Sequence, residues 1–154
     1  MPHRDFEELL AEFNAQRVRY MIGGAHALAL YARPRASKDL DIYVDPTRTN
    51  AERVVAALSR FFGGVAPRYV SVASLLDPRT ILQLGVAPVR VDLLSHFATT
   101  SFRKAWKNKT ISKFGRVPAY FLGCDELRAE KEHWGRPQDI ADLAMLDRAR
   151  AHPH

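Results

Sequence analysis

Cysteine is all but missing from this chain. Cys124 stands alone, which excludes an internal disulfide and a cysteine-built zinc site and fits a reducing compartment. No run approaches the roughly 20 apolar residues that a bilayer span needs, so no membrane association is expected. The first residues, "MPHRDFEELL", carry charges where a signal peptide needs an apolar stretch; they read as mature sequence of a cytoplasmic protein. Repeats, low-complexity tracts and linkers are also lacking. The 154 residues are therefore expected to form one domain able to bury a core of its own. Acidic residues are fewer than basic ones, 17 against 23. That balance favours a phosphate-bearing ligand, with a merely soluble basic surface as the plain alternative. No dense Lys/Arg block decides between them. The richest stretch is "FRKAWKNKTISK" (102–113), and its aromatics suit burial as well as stacking on bases.

What is present has the ordinary proportions of a folded protein, 47% hydrophobic and 26% charged. Phe6, Leu9, Leu10 and Phe13 recur at helical spacing within residues 4–16. "VRYMIGG" (18–24) reads as a short buried strand stopped by two glycines, and "AHALALYA" (25–32) as a helix lying close to a sheet, closed by Pro34. "LDIYVDP" (40–46) alternates as a strand does and ends at Pro46. Residues 50–62 place Val54, Val55, Leu58, Phe61 and Phe62 on one helical stripe, with Asn50 as the expected cap and Gly63-Gly64 as the stop. "TILQLGV" (80–86) and "VRVDLLS" (89–95) predict a hairpin through Ala87-Pro88, and residues 109–122 predict two further strands around Gly115. Two helical segments follow residue 123, with Pro137 in the first turn of the second. This mixed order predicts an α+β sheet flanked by helices.

If the strand at 40–46 takes in the residue before it, Asp39 and Asp41 must share a face, about 6.5–7 Å apart. Bare carboxylates at that spacing repel by roughly 2.5 kcal/mol at an effective dielectric of 20. On an open edge solvent screens this; in a cleft a cation has to sit between them. Asp92 is a third candidate, a carboxylate in an otherwise apolar segment. If residues 89–95 lie beside residues 40–45, Asp92 joins the pair, and three carboxylates can hold two hard cations. Taken singly, an Asp-x-Asp is usually solvated, and Asp92 is as readily explained by pairing with Arg90 or a lysine.

The order of these parts is more specific than any one of them. Gly23-Gly24, Arg35-Ala36-Ser37-Lys38-Asp39-Leu40-Asp41, Val91-Asp92-Leu93-Leu94, and a C-terminal part with Lys131, Arg136 and Asp139 follow one another from about residue 18 to 146. This succession resembles the nucleotidyltransferase superfamily, and within it the small stand-alone bacterial nucleotidyltransferases related to toxin–antitoxin and abortive-infection systems. The resemblance implies a mixed β-sheet flanked by helices, with a catalytic core at 1–122 and a C-terminal helical segment at 123–150. It implies that Asp39, Asp41 and Asp92 hold two Mg²⁺ ions, with Mn²⁺ as the alternative. Asp92 would also help deprotonate the acceptor hydroxyl. Gly23 and Gly24 would approach phosphates through their backbone N–H groups, and Lys131 would stand near the nucleotide. Arg35 either neutralises phosphate charge or bridges to an aspartate; Ser37 either binds a phosphate or caps the local turn. Arg136 and Asp139 support the site or fix the C-terminal element behind it. Trp134 is expected to pack, base stacking being the lesser option. His26 falls where many relatives have a small residue; it could cover the phosphate site or bind an acceptor, but is expected to be a buried histidine with one hydrogen-bond partner.

The activity implied is transfer of a nucleoside monophosphate from an NTP such as ATP to a hydroxyl on tRNA or other RNA, on a protein or on a small molecule, with release of pyrophosphate. A cognate toxin or antitoxin is an implied partner. A catalytically silent nucleotide-binding or regulatory module on the same fold is the alternative. Neither the base, the acceptor nor the oligomeric state follows from the sequence.

Overall fold

The computed structural model describes residues 2–33, 39–86 and 89–151. Pro34, Ala87 and Pro88, and with them the expected helix stop and hairpin turn, lie outside the described residues, as do Arg35 and Ser37. The apolar stripe near the N-terminus becomes α1 (Pro2–Ala15), and Phe6, Leu9, Leu10 and Phe13 are all buried. Each such side chain contributes about 1.5–3 kcal/mol by leaving water. β1 (Tyr20–Ile22) is buried throughout and passes through Gly23 into α2 (Gly24–Tyr31). β2 (Asp39–Val44) keeps the alternation read from the sequence: Leu40, Ile42 and Val44 are buried, while Asp39, Asp41 and Tyr43 share the other face.

α3 (Arg48–Phe61) begins earlier than expected. Thr47 is its cap, accepting from the Asn50 backbone N–H at 3.3 Å. Asn50 instead lies buried inside the first turn. Its amide donates to Arg19 O at 3.1 Å and Asp45 O at 3.0 Å and accepts from Arg19 N at 2.8 Å. A side chain thus serves backbone groups where β1 begins and β2 ends, beside the Asp45 N to Arg19 O bond of 3.1 Å. Val54 and Leu58 are buried, but Phe62, just past the helix, is 44% exposed and leaves the predicted stripe. Two short helices escape periodicity altogether, α4 (Val72–Leu76) and α5 (Phe102–Lys107). Helices this short present less than two turns of pattern.

β3 (Leu82–Val86) and β4 (Val89–Leu94) pair antiparallel, as do β5 (Thr110–Phe114) and β6 (Val117–Phe121). The sheet order is β3-β4-β2-β1-β6-β5, with β2–β4 and β1–β6 parallel. α6 (Cys124–Trp134) and α7 (Pro137–Ala151) pack on each other and against α2. α1 lies against α3 and β6, its buried stripe joined to Val54 and Leu58 in the main core.

Candidate active site

The parallel register of β2 and β4 sets Asp41 directly opposite Asp92 and Asp39 opposite Arg90. Neighbouring strands lie about 4.8 Å apart, so three carboxylates and one guanidinium share a small patch of one sheet face. Asp41 feels this most. Its carboxyl is pushed up to about 6, first by burial, then by the charges of Asp92 and Asp39, which Arg90 and Lys131 only partly offset. Burial also raises the Asp92 carboxyl, against the pull of Arg90.

Arg90 bridges the other two. Its Nη2 donates to Asp39 Oδ2 at 2.9 Å and to Asp92 Oδ2 at 3.4 Å. Its Nε stands 3.1 Å from Asp92 Oδ1, yet both atoms are buried without a hydrogen bond of proper geometry. The guanidinium stands among the carboxylates but leaves Asp92 Oδ1 without a hydrogen bond. Among the described residues, no three of His, Cys, Asp and Glu are gathered as they would be around a metal ion. The donor set nevertheless suits a hard divalent cation: all the atoms on offer are carboxylate oxygens, one buried and lacking a hydrogen bond, one on a group strained by like charge.

Gly23 and Gly24 bring the start of α2 onto these side chains. Gly23 N donates to Asp41 O at 2.9 Å. Gly24 has φ +58°, and a Cβ on it would lie 2.3 Å from Asp41 Oδ2. A Cβ on Gly23 would lie 2.8 Å from the Tyr43 ring. Their role is therefore more particular than a turn: they admit backbone to within contact of Asp41 and Tyr43. Tyr43 in turn stacks on Phe97, ring centres 4.1 Å apart.

Above this floor opens a cavity of about 500 Å³, bounded by residues 78–81, by 95–98 and by α6 and the start of α7. Lys131, Arg136 and Asp139 line it with Gly24, Asp41 and Asp92, so these sequence-selected residues converge. Asp39 belongs to the carboxylate patch but not to the lining. Lys131 is already engaged: its Nζ lies 2.7 Å from Asp142 Oδ2, both side chains being buried, and 3.9 Å from Asp139. Gln138 Nε2 donates to the second Asp142 oxygen at 2.9 Å. Arg136 and Asp139 form the local device that the sequence left as one option. Asp139 accepts from the Arg136 backbone N–H at 3.1 Å and from its Nε at 2.7 Å, closing the first turn of α7. Burial works to raise the Asp139 carboxyl, but the bonds and charge of Arg136, with Lys131, win and hold it below 3.8.

One expectation fails and another is met in part. Trp134 does not pack: it is 57% exposed at the cavity rim, because the last turn of α6 runs past the core. His26 is half-buried with its ring against Phe6 and Phe114, and it does not line the cavity. Two residues went unnoticed. Glu130 is buried and accepts from Ala98 N at 2.9 Å, from Thr99 N at 2.8 Å and from the Thr99 hydroxyl, tying the segment after β4 to α6. Asp142 had one faint signal, its place one helical turn after Asp139.

No protein-family model matches this chain, and no curated protein does. Among solved structures it is similar to a Thermotoga maritima protein described provisionally as a nucleotidyltransferase. The likeness covers 92% of this chain and 89% of the other, with a TM-score of 0.61 and 15% identity. The fold is nucleotidyltransferase-like. At that identity the likeness reaches the backbone and no further, and the chemistry rests on the side chains above. No described helix is long and apolar enough to cross a membrane.

Proposed function

We propose that this chain is a divalent-metal-dependent nucleotidyltransferase that moves a nucleoside monophosphate from an NTP to a hydroxyl acceptor. The observation that carries this reading is the face-to-face pair Asp41 and Asp92, joined by Asp39, beneath a Gly23–Gly24 turn that abuts the Asp41 carboxylate. Asp39, Asp41 and Asp92 would hold Mg²⁺ or Mn²⁺. When bound, such ions offset phosphate charge and lower the pKa of an attacking hydroxyl. Asp41 and Asp92 must then be ionised, and a cation would offset the burial and like charge that raise their pKa values. Asp92 would accept the acceptor's proton. Arg136 and Arg79, which line the same cavity, supply positive charge for a triphosphate. The exposed ring of Trp134 offers a surface for the base. The proposal extends to an RNA, protein or small-molecule acceptor, a cytoplasmic setting and a role beside a toxin or antitoxin.

The test is transfer of label from each α-labelled NTP to total tRNA or lysate protein with Mg²⁺. Asp41→Ala and Asp92→Ala should lower transfer at least 10³-fold, an effect of about 4 kcal/mol. Wild-type transfer by Asp41→Ala would refute the assignment.

One observation favours the silent alternative: Arg90 already bridges Asp39 and Asp92. If Arg90 only stands in until metal arrives, Arg90→Gln should bind Mn²⁺ about 3- to 10-fold more tightly, a gain of roughly 1 kcal/mol. Titration followed by electron paramagnetic resonance reads this directly. Failure of both proteins to bind Mn²⁺ at millimolar concentration would point to the silent module.

A further inference from the structure

At the opposite end of β1 from Gly23, a second cavity of about 470 Å³ opens between the end of α1, α3 and the β5–β6 hairpin. Arg17, Arg19 and Arg53 line it, and among the described residues no carboxylate does. Elsewhere Arg60, Arg90, Arg128 and Arg136 stand 2.7–3.2 Å from an Asp or Glu oxygen. None of the three cavity arginines forms an ion pair with a described residue. Asp45 acts on Arg19 electrostatically but does not line the cavity. Three like charges gathered on a concave surface repel unless an anion joins them.

A second observation is independent of charge. Arg17 is a non-glycine residue with positive φ, 57°. It follows α1, where Val18 N donates to Phe13 O at 2.9 Å and Arg17 N to Asn14 O at 3.1 Å. The left-handed residue of such a helix end is usually glycine. An arginine held there against its backbone preference points to a use for its side chain. Its own carbonyl receives Arg53 Nη1 at 3.3 Å, which ties two of the three guanidinium-bearing residues together.

Trp106 and Tyr120 line the groove beside the arginines, with Asn14, Val18, Ile111, Pro118 and Ala119. Trp106 is held by Phe102 and by Lys109, whose ammonium lies 3.9 Å from the ring centre, and Tyr120 meets it edge-on. Arg19 lies 5.7 Å from the same ring centre. Planar guanidinium groups match phosphate oxygens, and aromatic surface beside them suits bases better than acidic side chains. Arg19 and Gly23 flank β1 at its two ends, about 13 Å apart along the strand. An RNA strand running over the surface can reach from one end to the other.

We propose that this groove binds the phosphate backbone of single-stranded RNA. The binding stands without the transfer reaction; only its meaning as acceptor docking rests on the function proposed above.

Trp106 and Trp134 are the two tryptophans, so Trp134→Phe leaves Trp106 as the sole reporter beside the groove. Titrating that full-length protein with a 12-nucleotide oligouridylate should give a saturable fluorescence change. The plot of log affinity against log salt should have a slope of about −2 for three phosphates. Adding Arg17→Gly should weaken binding about tenfold and flatten the slope by about 0.7. The melting temperature should stay level or rise, since the left-handed backbone is relieved. Adding Arg19→Gln with Arg53→Gln, both exposed, should weaken binding further. Asp41→Ala, expected to be inactive in transfer, should bind RNA like its parent. Loss of transfer with retained RNA binding would thus sink the enzymatic reading alone. Unchanged affinity on removing the arginines, or equal affinity for polyglutamate with the same losses, would overturn the groove.

Discussion

Asp41→Asn is expected to make the ligand-free protein more stable at pH 7.5 while it abolishes transfer. The Asp41 carboxyl titrates near 6 in the folded protein against an ordinary value of 3.8, first because it is buried and then because Asp92 and Asp39 repel its charge. A folded-state pKa above the unfolded one means that the neutral form is favoured by folding. This contribution is fully present below pH 3.8 and is lost as pH rises through 6. Well above 6 the loss amounts to about 3 kcal/mol. Asparagine keeps the shape without the charge, so the variant should gain about 1–3 kcal/mol at pH 7.5, or about 3–8 °C in melting temperature. At pH 4 wild type and variant should nearly coincide. Mg²⁺ or Mn²⁺ should raise the wild-type melting temperature at pH 7.5 and do much less at pH 5, where a proton competes for Asp41. The variant should lack most of that gain. Thermal melts across pH, with and without metal, measure all of this. A variant no more stable than wild type at pH 7.5 would show that the carboxylate repulsion is already relieved.

The second large effect lies behind the site. Asp142→Ala should destabilise the protein by about 3–5 kcal/mol, because it leaves the buried Lys131 ammonium without its main partner. The Asp139 oxygen 3.9 Å away does not replace a 2.7 Å contact. Denaturant unfolding reads the loss. Replacing both partners by apolar residues, Lys131→Met with Asp142→Leu, should recover most of it, since two desolvated charges are removed together. That double variant also separates two roles for Lys131. Weaker NTP binding by a folded double variant would place the lysine on the nucleotide. Unchanged binding would make it the joint between α6 and α7.

These effects mark how far the sequence could be read. The stripe of Phe6, Leu9, Leu10 and Phe13, and the alternation of Leu40, Ile42 and Val44, were legible because burial follows the period of a helix or a strand. The same period of two set Asp39 and Asp41 on one face. Asn50 and Trp134 were misread for a related reason: a cap and a packed aromatic are judged from neighbours in sequence, and here the helix start and the α6 terminus fell elsewhere.

Residue identity and local spacing determined which side chains share a face, which stretches enter the core, and that three carboxylates with a glycine pair occur in a telling order. Only the tertiary structure decided who stands opposite whom. The parallel register of β2 and β4 put Asp41 against Asp92 and slid Arg90 between Asp92 and Asp39. The packing of α7 on α6 gave Lys131 to Asp142, and the end of α1 beside α3 gathered Arg17 and Arg53 in one groove. Such pairings depend on strand register and helix docking, set by the whole core at once, and no local period encodes them.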